Sequence, residues 1–322
     1  MLFNRILVPL DGSRLAETAL PHAARLARAN GTRVLLLRVL EARSTDPEGC
    51  PESIEWRLQR IEALRYLDSI VRDRLGSGIK SDIYLTEGRP AEQICKFVRE
   101  HDVDLVVLSA YGTGGQSEFP FGSTTQKILW TCGGSHLVVR QADAEVTGEP
   151  GPYRRILVPL DGSQRSEWAI HVASRVAGAG ATEIVLLQIV PEPAMPRRRP
   201  LTAAEQAVRD KVVESNLKAG SQYLNEVKMW LGRSYSVQTR QVVSPHVVQT
   251  ICEFADHEAA DLIVLADTRA SGINGWGQAS VSNGVLAAGS WPVLSLHELS
   301  RHPGQQADTS AAYWKERKLC TT

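Results

Sequence analysis

A string of nine residues occurs twice in the chain. Arg5-Ile6-Leu7-Val8-Pro9-Leu10-Asp11-Gly12-Ser13 returns, identical at every position, as Arg155-Ile156-Leu157-Val158-Pro159-Leu160-Asp161-Gly162-Ser163. Chance does not produce nine identities in register, and internal repeats of this kind dictate architecture before any local propensity does. Later segments keep the same order. Val34-Leu35-Leu36-Leu37-Arg38-Val39 corresponds to Ile184-Val185-Leu186-Leu187-Gln188-Ile189, and Asp104-Leu105-Val106-Val107-Leu108 to Asp261-Leu262-Ile263-Val264-Leu265. The 322 residues therefore comprise two homologous domains, a length that suits two ordinary cores. We place the first domain at 1–141, a Gly-, Pro-, Glu- and Thr-containing linker at 142–152, the second domain at 153–298, and a polar tail at 299–322 with a short helix expected over 309–318.

Each half alternates apolar strands with helical stretches. Strands are expected near 4–10, 33–40, 79–86, 104–109 and 136–140, and again near 154–160, 182–190, 234–243, 261–266 and 292–297. The runs near 33–40 and 104–109 are continuously apolar, as in a parallel strand covered on both faces. Helices are expected near 13–30, 52–76, 90–101 and 122–132. The first carries Leu15, Ala19, Ala23 and Leu26 on one face, with Ser13 placed to cap it and Pro21 placed to bend it. Strand-helix alternation predicts an α/β fold with two doubly wound five-strand parallel-sheet domains in tandem.

Several function classes are disfavoured. Lys plus Arg and Asp plus Glu both number 36, so the basic excess of a typical nucleic-acid binder is missing. The run Arg197-Arg198-Arg199 lies between Pro196 and Pro200 and reads as a solvated loop. No apolar stretch approaches the ~18 residues of a membrane span, and the N-terminus lacks a signal-like apolar stretch. Cys50, Cys95, Cys132, Cys252 and Cys320 are scattered, without a Cys-x-x-Cys pair. This predicts reduced thiols, no metal site and a cytoplasmic location. His136, His171 and His246 share no metal-ligand spacing, and Trp230, Trp276 and Trp291 read as packing residues. No Ser-His-Asp or Cys-His constellation is present, so no catalytic residue is assigned.

Two loops of the first half carry the chemistry. Open α/β sheets bind ligands beyond the carboxyl ends of their strands, where the winding reverses. The first loop is Pro9-Leu10-Asp11-Gly12-Ser13. Asp11 there either accepts hydrogen bonds from a sugar hydroxyl, approaches a metal, or simply forms a turn that Ser13 caps; the same residues at Asp161-Gly162-Ser163 fit the turn alone. The second loop runs from Ser109 through Gly112, Gly114 and Gly115 to Gly122-Ser123-Thr124-Thr125. Glycines let backbone approach a ligand, and a helix opening at Gly122-Ser123-Thr124 presents free amides and a positive dipole end to a phosphate. The bland alternative is a flexible loop followed by an ordinary helix cap.

At these residues the chain resembles a tandem universal stress protein. Ile-Leu-Val-Pro-Leu-Asp-Gly-Ser occurs twice in the form that family uses. Its nucleotide-binding members carry Gly-x2-Gly-x9-Gly-(Ser/Thr) after the fourth strand. The matching positions here are Ser109, Gly112, Gly122 and Ser123, with Ser109 the one departure. The resemblance implies the sheet order 3-2-1-4-5, a pseudo-twofold relation between the halves, and ATP, or AMP or ADP, between strands one and four, with or without Mg²⁺. It implies that Asp11, flanked by Pro9 and Ser13, lies near the ribose, backbone near Val39 lies near the adenine, and phosphates lie against Gly112, Gly122, Ser123 and Thr124. It also implies pairing through the fifth strands, as an intramolecular pseudo-dimer that leaves room for homodimers.

The second half departs from that pattern. Ser109, Gly112 and Gly122 correspond to Ala266, Arg269 and Ala279, and only Ser280 keeps its hydroxyl. An arginine at 269 fills space that the backbone needs, although it can also bind an anion through its own charge. The expected function is a stress-response protein that binds one adenine nucleotide in its first half and works by regulation, with hydrolysis slow at most. A nucleotide-free scaffold and a weakly hydrolysing or adenylating enzyme are the alternatives.

Overall fold

The computed structural model describes residues 2–41, 54–76, 78–115, 118–140, 151–178, 182–193, 202–266 and 280–297. The expectations for most of the linker, the 299–322 tail, the 197–199 run, the 269–279 segment, Cys50 and Cys320 lie outside them.

In the first domain the strands are β1 (Arg5–Pro9), β2 (Arg33–Leu40), β3 (Ser81–Glu87), β4 (Leu105–Ser109) and β5 (Ser135–Val139). The helices are α1 (Arg14–Glu17), α2 (Ala19–Asn30), α3 (Ile54–Asp73), α4 (Pro90–Glu100) and α5 (Ser123–Thr131). In the second domain come β6 (Arg155–Leu160), α6 (Gln164–Ala177), β7 (Glu183–Val190), α7 (Ala203–Leu231), β8 (Ser236–Val243), α8 (Val247–His257), β9 (Leu262–Ala266), α9 (Val281–Ala288) and β10 (Val293–Leu296). The single helix expected over 13–30 is two. Pro21 has no N–H to donate to the Glu17 carbonyl, so the chain breaks at Thr18 and Pro21 falls in the first turn of α2, where no donor is needed. Thr18 closes α1 by donating its hydroxyl to the Leu15 carbonyl, 2.7 Å away.

The strand order is β3-β2-β1-β4-β5-β10-β9-β6-β7-β8. Each half has the order 3-2-1-4-5 with parallel neighbours. The two expected five-strand sheets are one ten-stranded sheet, because β5 and β10 pair antiparallel, Val138 opposite Val293, Leu137 opposite Leu294 and His136 opposite Ser295. All five residues of β5 and all four of β10 are buried. Such strands make poor free edges, since an apolar edge invites uncontrolled pairing. One apolar layer continues beneath both halves, joining Leu20, Ala23 and Leu26 of α2 to Ala169, Ile170 and Ala173 of α6.

The same bolt fastens the amino ends of β1 and β4, and of β6 and β9. Asp104 accepts hydrogen bonds from the amides of Asn4 (2.6 Å) and Arg5 (3.0 Å). Asp261 accepts them from Arg154 (2.7 Å) and Arg155 (3.0 Å). These contacts leave the carboxyl ends of the same strands free to carry loops.

The expectation of reduced thiols throughout fails for one pair. Cys95 of α4 and Cys132, the residue that ends α5, form a disulfide with their Cα atoms 5.0 Å apart. They are 37 residues apart in sequence and meet only because α4 packs on α5, which spacing along the chain does not reveal. Cys252 is a free thiol, and burial, with Asp256 and Glu253 nearby, pushes its pKa up.

Candidate nucleotide site

The site residues named from sequence in the first domain lie at the carboxyl ends of β1, β2 and β4 and at the start of α5. Parallel winding puts them there: β1 lies between β2 and β4, so the loops after β1 and β4 leave the same edge side by side. Pro9 closes β1 opposite Leu37, and Val39 lies two residues further along β2, half-buried.

Asp11 joins the two loops. Its Oδ1 accepts hydrogen bonds from the Ser13 amide (2.9 Å) and the Ser13 hydroxyl (2.6 Å). Its Oδ2 accepts one from the Thr113 amide, 2.7 Å away in the loop after β4. Gly12 has φ +85°, a conformation that glycine alone adopts cheaply, and this folds the chain back so that the carboxylate meets both partners. The turn reading and the ligand reading of Asp11 are thus compatible. Ser13 is consumed by structure: its hydroxyl donates to Asp11 and accepts the Ala16 amide (3.1 Å) as the cap of α1.

Gly112 is required by contact rather than by its backbone angles. A Cβ on it would stand 2.2 Å from Asp11 Oδ2, and that oxygen is held by Thr113. Gly112→Ala is expected to break the Asp11–Thr113 hydrogen bond and cost about 1 kcal/mol of stability in urea unfolding, the typical worth of one such bond. Unaltered stability would show that the carboxylate is free to move.

Gly122 is open. It caps α5 with φ −64° and no side-chain hydrogen bond, and a Cβ there would find nothing nearer than the Ala110 carbonyl at 3.6 Å. The first amides of α5 have no intrahelical acceptor and lie beside exposed Ser123 and half-buried Thr124. The Gly122 amide donates to the Ala110 carbonyl (2.9 Å), and the buried Thr125 hydroxyl to the Ser109 carbonyl (2.9 Å), so the helix start is tied to the end of β4. The Ser109 hydroxyl accepts the Tyr111 amide at 3.4 Å.

Two residues to which sequence reasoning gave no role at the site belong to the surroundings. Thr125 is the tie just described. Arg38, on β2, lies with its guanidinium 5.2 Å from the Tyr66 ring centroid, and its nitrogens would be 3.1 and 3.2 Å from a Cβ on Gly12. Among the described residues it donates no hydrogen bond and pairs with no carboxylate. A half-buried cation beside an anion-favouring loop suits a negatively charged ligand. Tyr66 itself is bound to Glu17, its hydroxyl donating 3.1 Å to Oε1. Burial, with the Glu17 charge, raises its pKa well above the usual phenol value, so it stays a neutral donor.

The described residues of the second domain repeat the frame with a different helix cap. Asp161 accepts the Ser163 amide at 2.9 Å. Burial pushes its carboxyl upward, but the hydrogen bonds from Ser163 and Ser166 outweigh that and hold its pKa below the ordinary range. At α9 the cap is Ser280, whose hydroxyl accepts the Asn283 amide (3.4 Å), whereas α5 begins one position earlier in register on a bare glycine. Gln188, which corresponds to Arg38, is bonded instead to Gln241 (3.0 Å).

Residues 2–140 and 152–297 each match the model of the universal stress protein family. The chain belongs to that family. Relatives of about half the chain's length are similar to part of it. Universal stress protein YxiE of Bacillus subtilis (strain 168) is 29% identical over 143 residues, covering 41% of this chain and 96% of that protein. Universal stress protein MJ0577 of Methanocaldococcus jannaschii is 24% identical over 160 residues, 45% of this chain and 99% of that protein. Over the whole tandem, the crystal structure of a universal stress protein from Archaeoglobus fulgidus DSM 4304 aligns with a TM-score of 0.60 at 15% identity, covering 92% of this chain and 98% of that one. That of the functionally unknown protein PA1789 from Pseudomonas aeruginosa PAO1 aligns at 0.65, also at 15% identity, covering 91% and 92%. At these identities the structures establish the tandem fold. Among the described residues no group of His, Cys, Asp or Glu could hold a metal ion, and no helix is long and apolar enough to cross a membrane.

Proposed function

We propose that this universal stress protein binds one adenine nucleotide, ATP or its mono- or diphosphate, in the first domain, and that occupancy acts by regulation rather than rapid turnover. The observation that carries the reading is the uncapped start of α5 at Gly122, open to an anion and set beside the Asp11-bridged loops. The residues fit the group: Gly122, Ser123 and Thr124 would meet phosphates with amides and hydroxyls, Asp11 would accept from ribose hydroxyls, and the backbone at Val39 would flank the base. Arg38 adds a cation on the same side of the cleft. A bound nucleotide would supply charge and a rigid body linking the two loops. The chain's own part is to orient it and keep the loops apart from bulk water. Asp11 is already committed to three hydrogen bonds, so it is poorly suited to act as a base for hydrolysis.

A scaffold without nucleotide is the second reading. It is favoured by the single sheet through both domains, which presents one continuous body to partners. Native mass spectrometry of freshly purified chain separates the two. Retained adenine nucleotide, without release of product over hours, is the expected result. A clean apoprotein that takes up no added ATP would leave the scaffold, and multiple turnovers would establish an enzyme.

A further inference from the structure

We propose that Arg140 is a positioning residue for the first domain's phosphate loop, and that the second domain holds the loop through it. The proposal rests on the nucleotide reading above. Arg140 directly follows β5. Its Nη2 donates 2.7 Å to the backbone carbonyl of Leu286, in the last turn of α9. The final carbonyls of a helix have no intrahelical partner, and that end carries partial negative charge, so an arginine is a favourable cap. The same guanidinium lies over the Phe121 ring, 4.8 Å from its centroid. Phe121 immediately precedes Gly122. One side chain therefore runs from the second domain's helix end to the residue before the anion-facing amides.

Two described residues of the loop lie on the same surface. Tyr111 and Phe121 both pack against the buried cluster that contains Val285 and Leu286 of α9. The Tyr111 hydroxyl donates 3.0 Å to the Phe119 carbonyl, joining the two arms of the loop. Ordering a loop at the moment of binding subtracts from affinity, and a loop ordered in advance avoids that cost. Arginine suits the task, because its planar group can stack on a ring and donate in its own plane at once. On this account the second domain, with its glycines replaced, contributes to binding without binding anything.

The test uses full-length protein. Arg140→Met keeps most of the aliphatic stem and removes both polar contacts. It is expected to weaken ATP binding about tenfold, as loss of a charge-assisted hydrogen bond would. It is also expected to speed amide hydrogen exchange across residues 118–122 in nucleotide-free protein. Arg140→Lys, which can still reach the Leu286 carbonyl, should recover part of both. Tyr153→Phe is the control: it removes the buried 2.7 Å hydrogen bond between Tyr153 and His22, on the α2–α6 face of the domain junction, in a different apolar cluster from the one that carries the loop. It should leave affinity and loop exchange unchanged. If Tyr153→Phe weakens binding as much as Arg140→Met, Arg140 serves only general interface stability and the proposal is overturned. It is overturned equally if Arg140→Met alters neither readout. Should the wild type bind no nucleotide, the nucleotide reading fails, while exchange at 118–122 still decides whether Arg140 holds the loop.

Discussion

Gly122→Val is expected to lower ATP affinity about a hundredfold, the loss of two or so charge-assisted contacts, while the chain stays folded. The geometry separates those effects. At φ −64° and ψ 155° the backbone of Gly122 is one that a β-branched residue adopts without strain. The nearest atom to an added Cβ is 3.6 Å away, so there is room for the side chain in the unliganded protein. That room is the space an anion would need in order to reach the first amides of α5. Exchanging glycine for a poorer cap costs roughly 1 kcal/mol or less, visible as a small drop in melting temperature. Affinity within twofold of wild type in a folded variant would remove the phosphates from this helix start.

Separating the domains should have the second large effect. β5 lies between β4 and β10, and every residue of it is buried. A first domain expressed alone would expose Ser135–Val139 as an apolar edge strand, and a second domain alone would expose Val293–Leu296. Each half is therefore expected to self-dimerise, or to associate when the two are mixed, because an unpaired apolar edge is a template for another strand. Analytical ultracentrifugation reads this directly. Halves that both remain monomeric and soluble at high micromolar concentration would show that the β5–β10 pairing contributes little.

Much of this was legible in the residues because the relevant information is local or repeated. The nine-residue repeat gave two equivalent domains, continuous apolar runs gave covered parallel strands, and the carboxyl-end rule put Asp11 and Gly122 on one edge. What escaped depends on contacts between distant segments. Pro21 signalled a bend, but the break falls at Thr18, since proline disrupts the hydrogen bond to the residue four before it. Gly112 is explained by the Asp11 carboxylate, a neighbour more than a hundred residues away in sequence, and not by φ. Arg38, Arg140 and the Cys95–Cys132 bond carry no motif at all. Arg38 stands out only once Gln188, at the corresponding place, is seen bonded to Gln241. Arg140 stands out only when the end of α9 is seen against it. The pairing of the fifth strands was an implication of the family resemblance, but its register was not.

The asymmetry of the two domains is the central claim, and calorimetric titration of the full chain with ATP and Mg²⁺ tests it most directly. The uncapped glycine at α5 against the self-capped Ser280 at α9 predicts a stoichiometry near one per chain, with binding sharply weakened by Gly122→Val. A stoichiometry of two, or heat unaffected by that substitution, would contradict it.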